Sequence, residues 1–169
     1  REQAERDYQL ASGLSQDVES HDNVFRQTTA RLPWLLIGML GGIGNSMILG
    51  NFDTTFAAHP EMALYIPLIG GTGGNVGTQS SALVVQGLAN SSLDSGNTFQ
   101  QILKESVVAL INATIISMLV YIYNFIRFGA TATVSYSVSI SLFAVVMFAS
   151  IFGTLVPMTL EKLKIDPAI

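Results

Sequence analysis

Four long stretches without a charged side chain are the feature that most constrains this sequence. They cover residues 32–52, 62–93, 106–126 and 128–160, and each is at least 21 residues long. About 20 consecutive apolar residues are enough to cross the hydrocarbon core of a bilayer. A soluble helix, by contrast, carries polar or charged residues along its outer face. The sequence therefore predicts an all-α membrane protein, a bundle of transmembrane helices.

The composition narrows the function classes. The formal net charge is −4, and the sequence has no basic patch with interleaved aromatic residues, so nucleic acid is not an expected partner. Cysteine is absent, which excludes thiolate metal sites, disulfides and cysteine nucleophiles. An enzyme is not expected, because the sequence offers no paired carboxylates, no histidine in a span and no Ser/His/acid arrangement. Since the first residue is Arg1, we expect a piece of a longer chain.

Four spans are predicted within a transmembrane domain over residues 31–169. Pro33 is expected to open the first span, because proline suits the first turn of a helix. Residues 1–30 are polar, with mixed charges and a weak apolar stripe, and we interpret them as an amphipathic connector or a helix at the membrane surface. The predicted spans lie at about 33–51, 62–90, 106–126 and 136–158.

The basic residues predict the orientation of these spans. In the four-span arrangement Arg127 lies alone on one side of the membrane. The other five basic residues near the spans lie on the opposite side: Arg26, Arg31, Lys104, Lys162 and Lys164. Cytoplasmic loops carry an excess of Lys and Arg, so both termini are expected in the cytoplasm.

The second uncharged stretch combines glycines with neutral oxygen donors. Five glycines fall within residues 70–77, and each would cost an ordinary helix roughly 1 kcal/mol relative to alanine. We therefore expect a local interruption of this span, of the kind that forms ion and substrate sites in transporters. Amide and hydroxyl oxygens there could hold a hydrated Mg²⁺, which prefers oxygen ligands. The alternative is that the glycines only permit close helix packing.

The segment from Pro67 to Gln79, PLIGGTGGNVGTQ, resembles the signature of the MgtE family of bacterial magnesium channels. The entry to the first span, ARLPWLL over residues 30–36, and the Asp-Pro-Ala turn over residues 166–168 agree with it. The resemblance covers about residues 30–169. Thr78 departs from the family, which usually has asparagine there.

The resemblance implies a homodimeric, Mg²⁺-transporting pore in the bacterial inner membrane, with five spans per subunit. This chain would lack the fifth span and the upstream cytosolic domains that sense regulatory Mg²⁺ and close the channel. The second span would border the ion path. The pore-lining residues expected from the resemblance are Gly73, Gly74, Asn75, Gly77, Thr78 and Gln79.

Four acidic residues are weaker candidates for Mg²⁺ contact. Asp166 matches a family position at the cytosolic mouth, although an Asp-Pro pair also suits a helix cap and first turn. Asp17, Glu19 and Asp22 lie where the family has a plug helix, and a solvated helix face is the simpler interpretation. Two other functions remain open: a secondary transporter for a small cation or polar solute, and a helix-assembly module that conducts nothing.

Overall fold

Helices account for all regular structure in the part of the chain that the computed structural model describes, residues 13–14, 18–90, 98–129 and 133–164. This confirms the all-α fold class. The elements are α1 (Val24–Gly50), α2 (Asp53–Ala58), a 3₁₀ helix (Pro60–Tyr65), α3 (Ile66–Ala89), α4 (Thr98–Phe128) and α5 (Thr133–Lys162). The chain divides into two compact units, one containing α1 and the other running over residues 55–167.

Within the described residues, three helices are long and apolar enough to cross a membrane. They are Val24–Gly50, Phe99–Phe128 and Thr133–Lys162, which correspond to the first, third and fourth predicted spans. The chain is therefore a multi-pass membrane protein. Helix α3 has 24 residues, a length of about 36 Å, but its glycines, amides and hydroxyls keep it out of this apolar group. Its crossing of the membrane stays a prediction.

Helix α1 begins earlier than the sequence suggested. The Asn23 side chain caps it, with Oδ1 accepting a hydrogen bond of 2.9 Å from the backbone N–H of Arg26. Such a cap satisfies one of the N–H groups that have no partner in the first helical turn. Pro33 therefore lies in the helix interior, and the prediction that it opens the helix is wrong. Of the connector predicted over residues 1–30, the last residues belong to α1, and residues 1–12 and 15–17 lie outside the described part.

Helix α3 is continuous across the glycine-rich segment, so the expected interruption of the second span is wrong. The cost of glycine in an isolated helix did not decide the backbone here. Gly73 and Gly77 lie against α5, where the absence of a side chain allows the two backbones to come close. This packing outweighs the local propensity, as tertiary context often does.

Helix α5 is the centre of the bundle and packs against both α3 and α4. Its Leu142 and Val146 are fully buried together with Ala113 of α4. Nearer the start of α5, Val134 and Val138 pack with Tyr65 of the 3₁₀ helix. Because lipid tails are as apolar as these side chains, close packing and polar contacts, more than water exclusion, hold the three helices together.

Candidate functional site

One face of α3 is exposed and carries small or uncharged polar residues. With 3.6 residues per turn, positions three, four and seven apart share a face. In the middle of the helix, the exposed residues at this spacing are Gly71, Gly74, Asn75, Thr78 and Gln79. A Cβ added at Gly71 or Gly74 would meet no described atom within 4 Å. The exposed face therefore has open space at its glycines, with amide side chains beside them.

Thr78 adds an oriented oxygen to this exposed face. Its hydroxyl donates a hydrogen bond of 2.9 Å to the backbone carbonyl of Gly74, one turn earlier. The hydroxyl proton is thus used within the helix, and the oxygen lone pairs remain available as acceptors. The hydroxyl can therefore accept a hydrogen bond from a water molecule or from the hydration shell of a cation.

The opposite face of α3 packs tightly on α5. A Cβ at Gly73 would lie 2.6 Å from Val145 Cγ1, and a Cβ at Gly77 would lie 3.7 Å from the carbonyl oxygen of Ala149. From the other side, a Cβ at Gly153 would lie only 2.6 Å from the carbonyl oxygen of Gly77. These glycines set the distance between the two helices.

The six predicted pore-lining residues therefore lie on two faces. Gly74, Asn75, Thr78 and Gln79 share the exposed face, whereas Gly73 is buried and Gly77 is half-buried against α5. The structure brings the first four together and places the last two behind them. The packing interpretation therefore applies to Gly73 and Gly77, and the ion path stays a prediction for the exposed residues.

Glu105, which the sequence pattern did not single out, joins three helices. Its Oε1 accepts hydrogen bonds from Ser80 Oγ of α3 at 2.6 Å and from Ser150 Oγ of α5 at 2.5 Å. The two serine oxygens are 3.0 Å apart, and both serines are buried. The signal available in the sequence was a lone carboxylate at the edge of the third uncharged stretch. It did not identify the partners, which are 25 and 45 residues away.

A second buried polar contact joins the 3₁₀ helix to α4. The Tyr65 hydroxyl donates a hydrogen bond to Oδ1 of Asn124, whose side chain is fully buried. Nδ2 of the same amide has no hydrogen-bond partner among the described residues. The Tyr65 hydroxyl therefore stabilises the buried Asn124 amide, because a buried amide without a hydrogen bond lowers the stability of the fold.

The acidic residues proposed for Mg²⁺ contact are only partly described, since Asp17 and Asp166 lie outside the described residues. Glu19 Oε2 is 3.2 Å from His21 Nε2, and Asp22 Oδ1 is 3.2 Å from Arg26 Nη1. The backbone N–H of Glu19, with help from Arg26, holds the pKa of Asp22 below its ordinary value. In the described ranges no three His, Cys, Asp or Glu residues are grouped to hold a metal. Their Mg²⁺ role stays a prediction.

The protein is therefore a multi-pass helical membrane protein. One of its helices, α3, is uncharged and carries amide and hydroxyl groups on a face that α5 does not cover. Residues 66–169 match the family model MgtE, described as a divalent cation transporter. The chain belongs to this family, in agreement with the resemblance of its glycine-rich motif.

Individual relatives agree with the family model. The chain is 34% identical to the magnesium transporter MgtE of Thermus thermophilus over 140 residues, which are 83% of this chain and 31% of the relative. It is 29% identical to the magnesium transporter MgtE of Bacillus subtilis over 167 residues, 99% of this chain and 37% of the relative. The corresponding protein of Enterococcus faecalis is 28% identical over 169 residues. The chain thus spans about a third of the length of these relatives.

Proposed function

We propose that this chain is the transmembrane pore part of a Mg²⁺ channel or transporter, which passes divalent cations across the membrane and is not an enzyme. The observation that carries the proposal is the exposed face of α3, in a chain whose family is described as divalent cation transporters. Mg²⁺ takes oxygen ligands and gives up its waters reluctantly. Amide and hydroxyl oxygens can hold such an ion through its water shell.

The exposed face of α3 favours a homodimer. Amide side chains such as Asn75 and Gln79 are costly when they face lipid, and polar groups inside membranes turn toward a bundle interior or a water-filled cavity. Because α5 occupies the opposite face of α3, a second copy is the partner that would enclose the polar face. The ion path would then lie between two subunits, each contributing one α3.

The remaining features of the proposed transporter concern the full-length protein. We place it in the bacterial inner membrane, as the resemblance to the family implies, and the distribution of basic residues predicts that its N-terminus is in the cytoplasm. Cytosolic domains would precede this chain, since the relatives are about three times as long. Those domains would sense regulatory Mg²⁺ and close the pore, with Asp166 and the Asp17, Glu19 and Asp22 group as candidate contacts.

Mg²⁺ uptake into liposomes that contain the full-length protein tests the proposal. Asn75→Ala should lower the flux several-fold without preventing dimer formation, because it removes an amide that would hold a water of the hydrated ion. Leu83→Ala is the control, since Leu83 is an exposed apolar residue on a regular part of the same helix. Parallel measurements with Ca²⁺ and Co²⁺ would define the selectivity.

Two neighbouring glycines supply a sharper comparison. Gly74→Leu should block flux while the bundle still assembles, because its side chain would enter open space. Gly73→Leu should instead disrupt the bundle, because its Cβ would already collide with Val145. Normal flux in both Asn75→Ala and Gly74→Leu, with intact assembly, would contradict the proposed ion path.

A further inference from the structure

A single carboxylate connects the three helices of the bundle. Glu105 of α4 accepts hydrogen bonds through Oε1 from Ser80 of α3 and Ser150 of α5, at 2.6 and 2.5 Å. Ser80 and Ser150 are each less than 5% exposed, so neither hydroxyl is free to bond with bulk water instead. Helices α3 and α4 each pack mainly on α5. The Glu105 carboxylate therefore adds a direct polar link from α4 to α3.

Ser80 lies on the side of α3 that is opposite to the exposed face. Residues in an α-helix are separated by about 100° around the axis, so Ser80 is about 200° from Thr78 and about 180° from Gly71. A contact that fixes the position of Ser80 around the axis therefore also fixes the direction of the exposed face.

We propose that Glu105 is a positioning residue for ion transport, which holds α3 at the rotation that directs Asn75 and Thr78 toward the ion path. This inference rests on the proposed function of the exposed face. Glu105 itself contacts only the two serines in this role and does not touch the ion.

The packing between α3 and α5 explains why a directional contact is needed. Gly73, Gly77 and Gly153 bring the two backbones close. Ile69 and Val76 of α3 also pack against the buried core that α5 shares with α4. These apolar contacts are non-directional, so they fix the distance between the helices better than their rotation. Hydrogen bonds weaken steeply when their angles change, and bonds to a charged acceptor are about twice as strong as neutral ones. The Glu105 carboxylate thus adds to this apolar packing a directional constraint on the rotation of α3.

Cysteine labelling in the full-length protein provides a direct readout of this rotation. The described chain has no cysteine, so Thr78→Cys, with any cysteine elsewhere replaced by serine, introduces a single reporter on the exposed face. Its rate of reaction with a charged, water-soluble methanethiosulfonate reports how far position 78 faces water. Glu105→Leu should slow this labelling and should lower Mg²⁺ flux by about tenfold, the effect expected when a charge-assisted hydrogen bond is lost.

Rescue by a conservative variant separates positioning from charge. Glu105→Gln retains an acceptor oxygen for both hydroxyls and should keep the labelling rate and the flux within about threefold of the wild type. Ser106→Ala is the matched control, because the Ser106 hydroxyl donates a hydrogen bond of 2.8 Å to the carbonyl of Ile102 in its own helix and does not link that helix to another described helix. It should change neither measurement.

The outcomes distinguish this inference from the proposed function. If Glu105→Leu labels at the wild-type rate, the positioning role is overturned, whatever the flux. If the wild-type protein passes no Mg²⁺, the proposed function fails, while the labelling comparison still decides whether Glu105 orients α3. Should Glu105→Leu fail to assemble, Ser80→Ala removes one donor with a smaller change. Slower labelling in Ser80→Ala would support the role, and an unchanged rate would overturn it.

Discussion

Gly153→Ala is the substitution for which the structure gives the clearest quantitative expectation. The new Cβ would lie 2.6 Å from the carbonyl oxygen of Gly77 and 3.1 Å from Ser80 Cβ. Ordinary contact begins at 3.4 Å, so the first of these distances is about 0.8 Å too short. The obstacle is backbone and cannot rotate away, so α3 and α5 must separate or shift.

The loss of unfolding free energy in Gly153→Ala can be estimated from the contacts that are disturbed when α3 and α5 move apart. Overpacking a close contact costs typically about 1–3 kcal/mol. A gap of this size would also lengthen the hydrogen bond between Ser80 and Glu105, and a bond to a charged group is worth about 1.5–3 kcal/mol. Alanine favours the helix over glycine by about 1 kcal/mol, which offsets part of the loss. We therefore expect the free energy of unfolding to fall by about 1.5–5 kcal/mol.

Unfolding of the full-length protein by SDS, followed by circular dichroism, measures this change. Gly74→Ala is the matched control, because its Cβ would meet no described atom within 4 Å. It should leave the stability unchanged or raise it by up to about 1 kcal/mol, the helix-propensity gain. Equal unfolding midpoints for the two variants would refute the reasoning, since they would mean that α3 and α5 are not in close contact at Gly153.

Three further predictions concern other parts of the chain. Tyr65→Phe should lower the free energy of unfolding by about 1–3 kcal/mol in the same SDS titration, because it leaves the buried Asn124 amide unpaired, and adding Asn124→Leu should recover part of the loss. The pKa of Asp22 is lower in the folded protein than its unfolded value of 3.8. The Asp22 carboxylate therefore stabilises the turn before α1 above pH 3.8, and this stabilisation is lost as the pH falls through the lower folded pKa. The protection factor of the Glu19 amide, which is its intrinsic exchange rate divided by the observed rate, should fall over that acidic range. Asp22→Asn should remove this pH dependence of the protection factor. A reporter fused after Lys164 should be cytoplasmic, and one inserted at 57–60 should be external; the reverse result would contradict the predicted span count.

The charge pattern alone was sufficient to predict most of the helices. The uncharged stretch 106–126 lies within α4, and the stretch 128–160 largely overlaps α5. The pattern is informative because a helix that crosses lipid must exclude charged residues over about 20 positions. The uncharged stretches did not predict the start of α1, because residues 24–31 carry two arginines. Its start depends on the Asn23 cap, a local contact that hydropathy does not register.

The glycine-rich segment shows why local reasoning was insufficient for α3. Counting glycines predicted an interrupted helix, because propensity scales describe a helix without neighbours. The spacing also contained two equivalent small-residue pairs, Gly70 with Gly74 and Gly73 with Gly77, each four residues apart. Either pair could have packed against another helix. Only Gly153 and Val145 of α5, about 70 residues away in the sequence, distinguish the packed pair from the open one.

The two pairs meet different requirements on adjacent sides of one helix. At Gly73 and Gly77 the missing side chain lets α5 approach, and that approach compensates for the poor helix propensity of the whole segment. At Gly74 the missing side chain leaves space that the α3–α5 packing does not use. A residue added there would improve the helix, so stability alone gives no reason for glycine at this position. The open glycine is therefore better explained by the proposed ion path than by the fold.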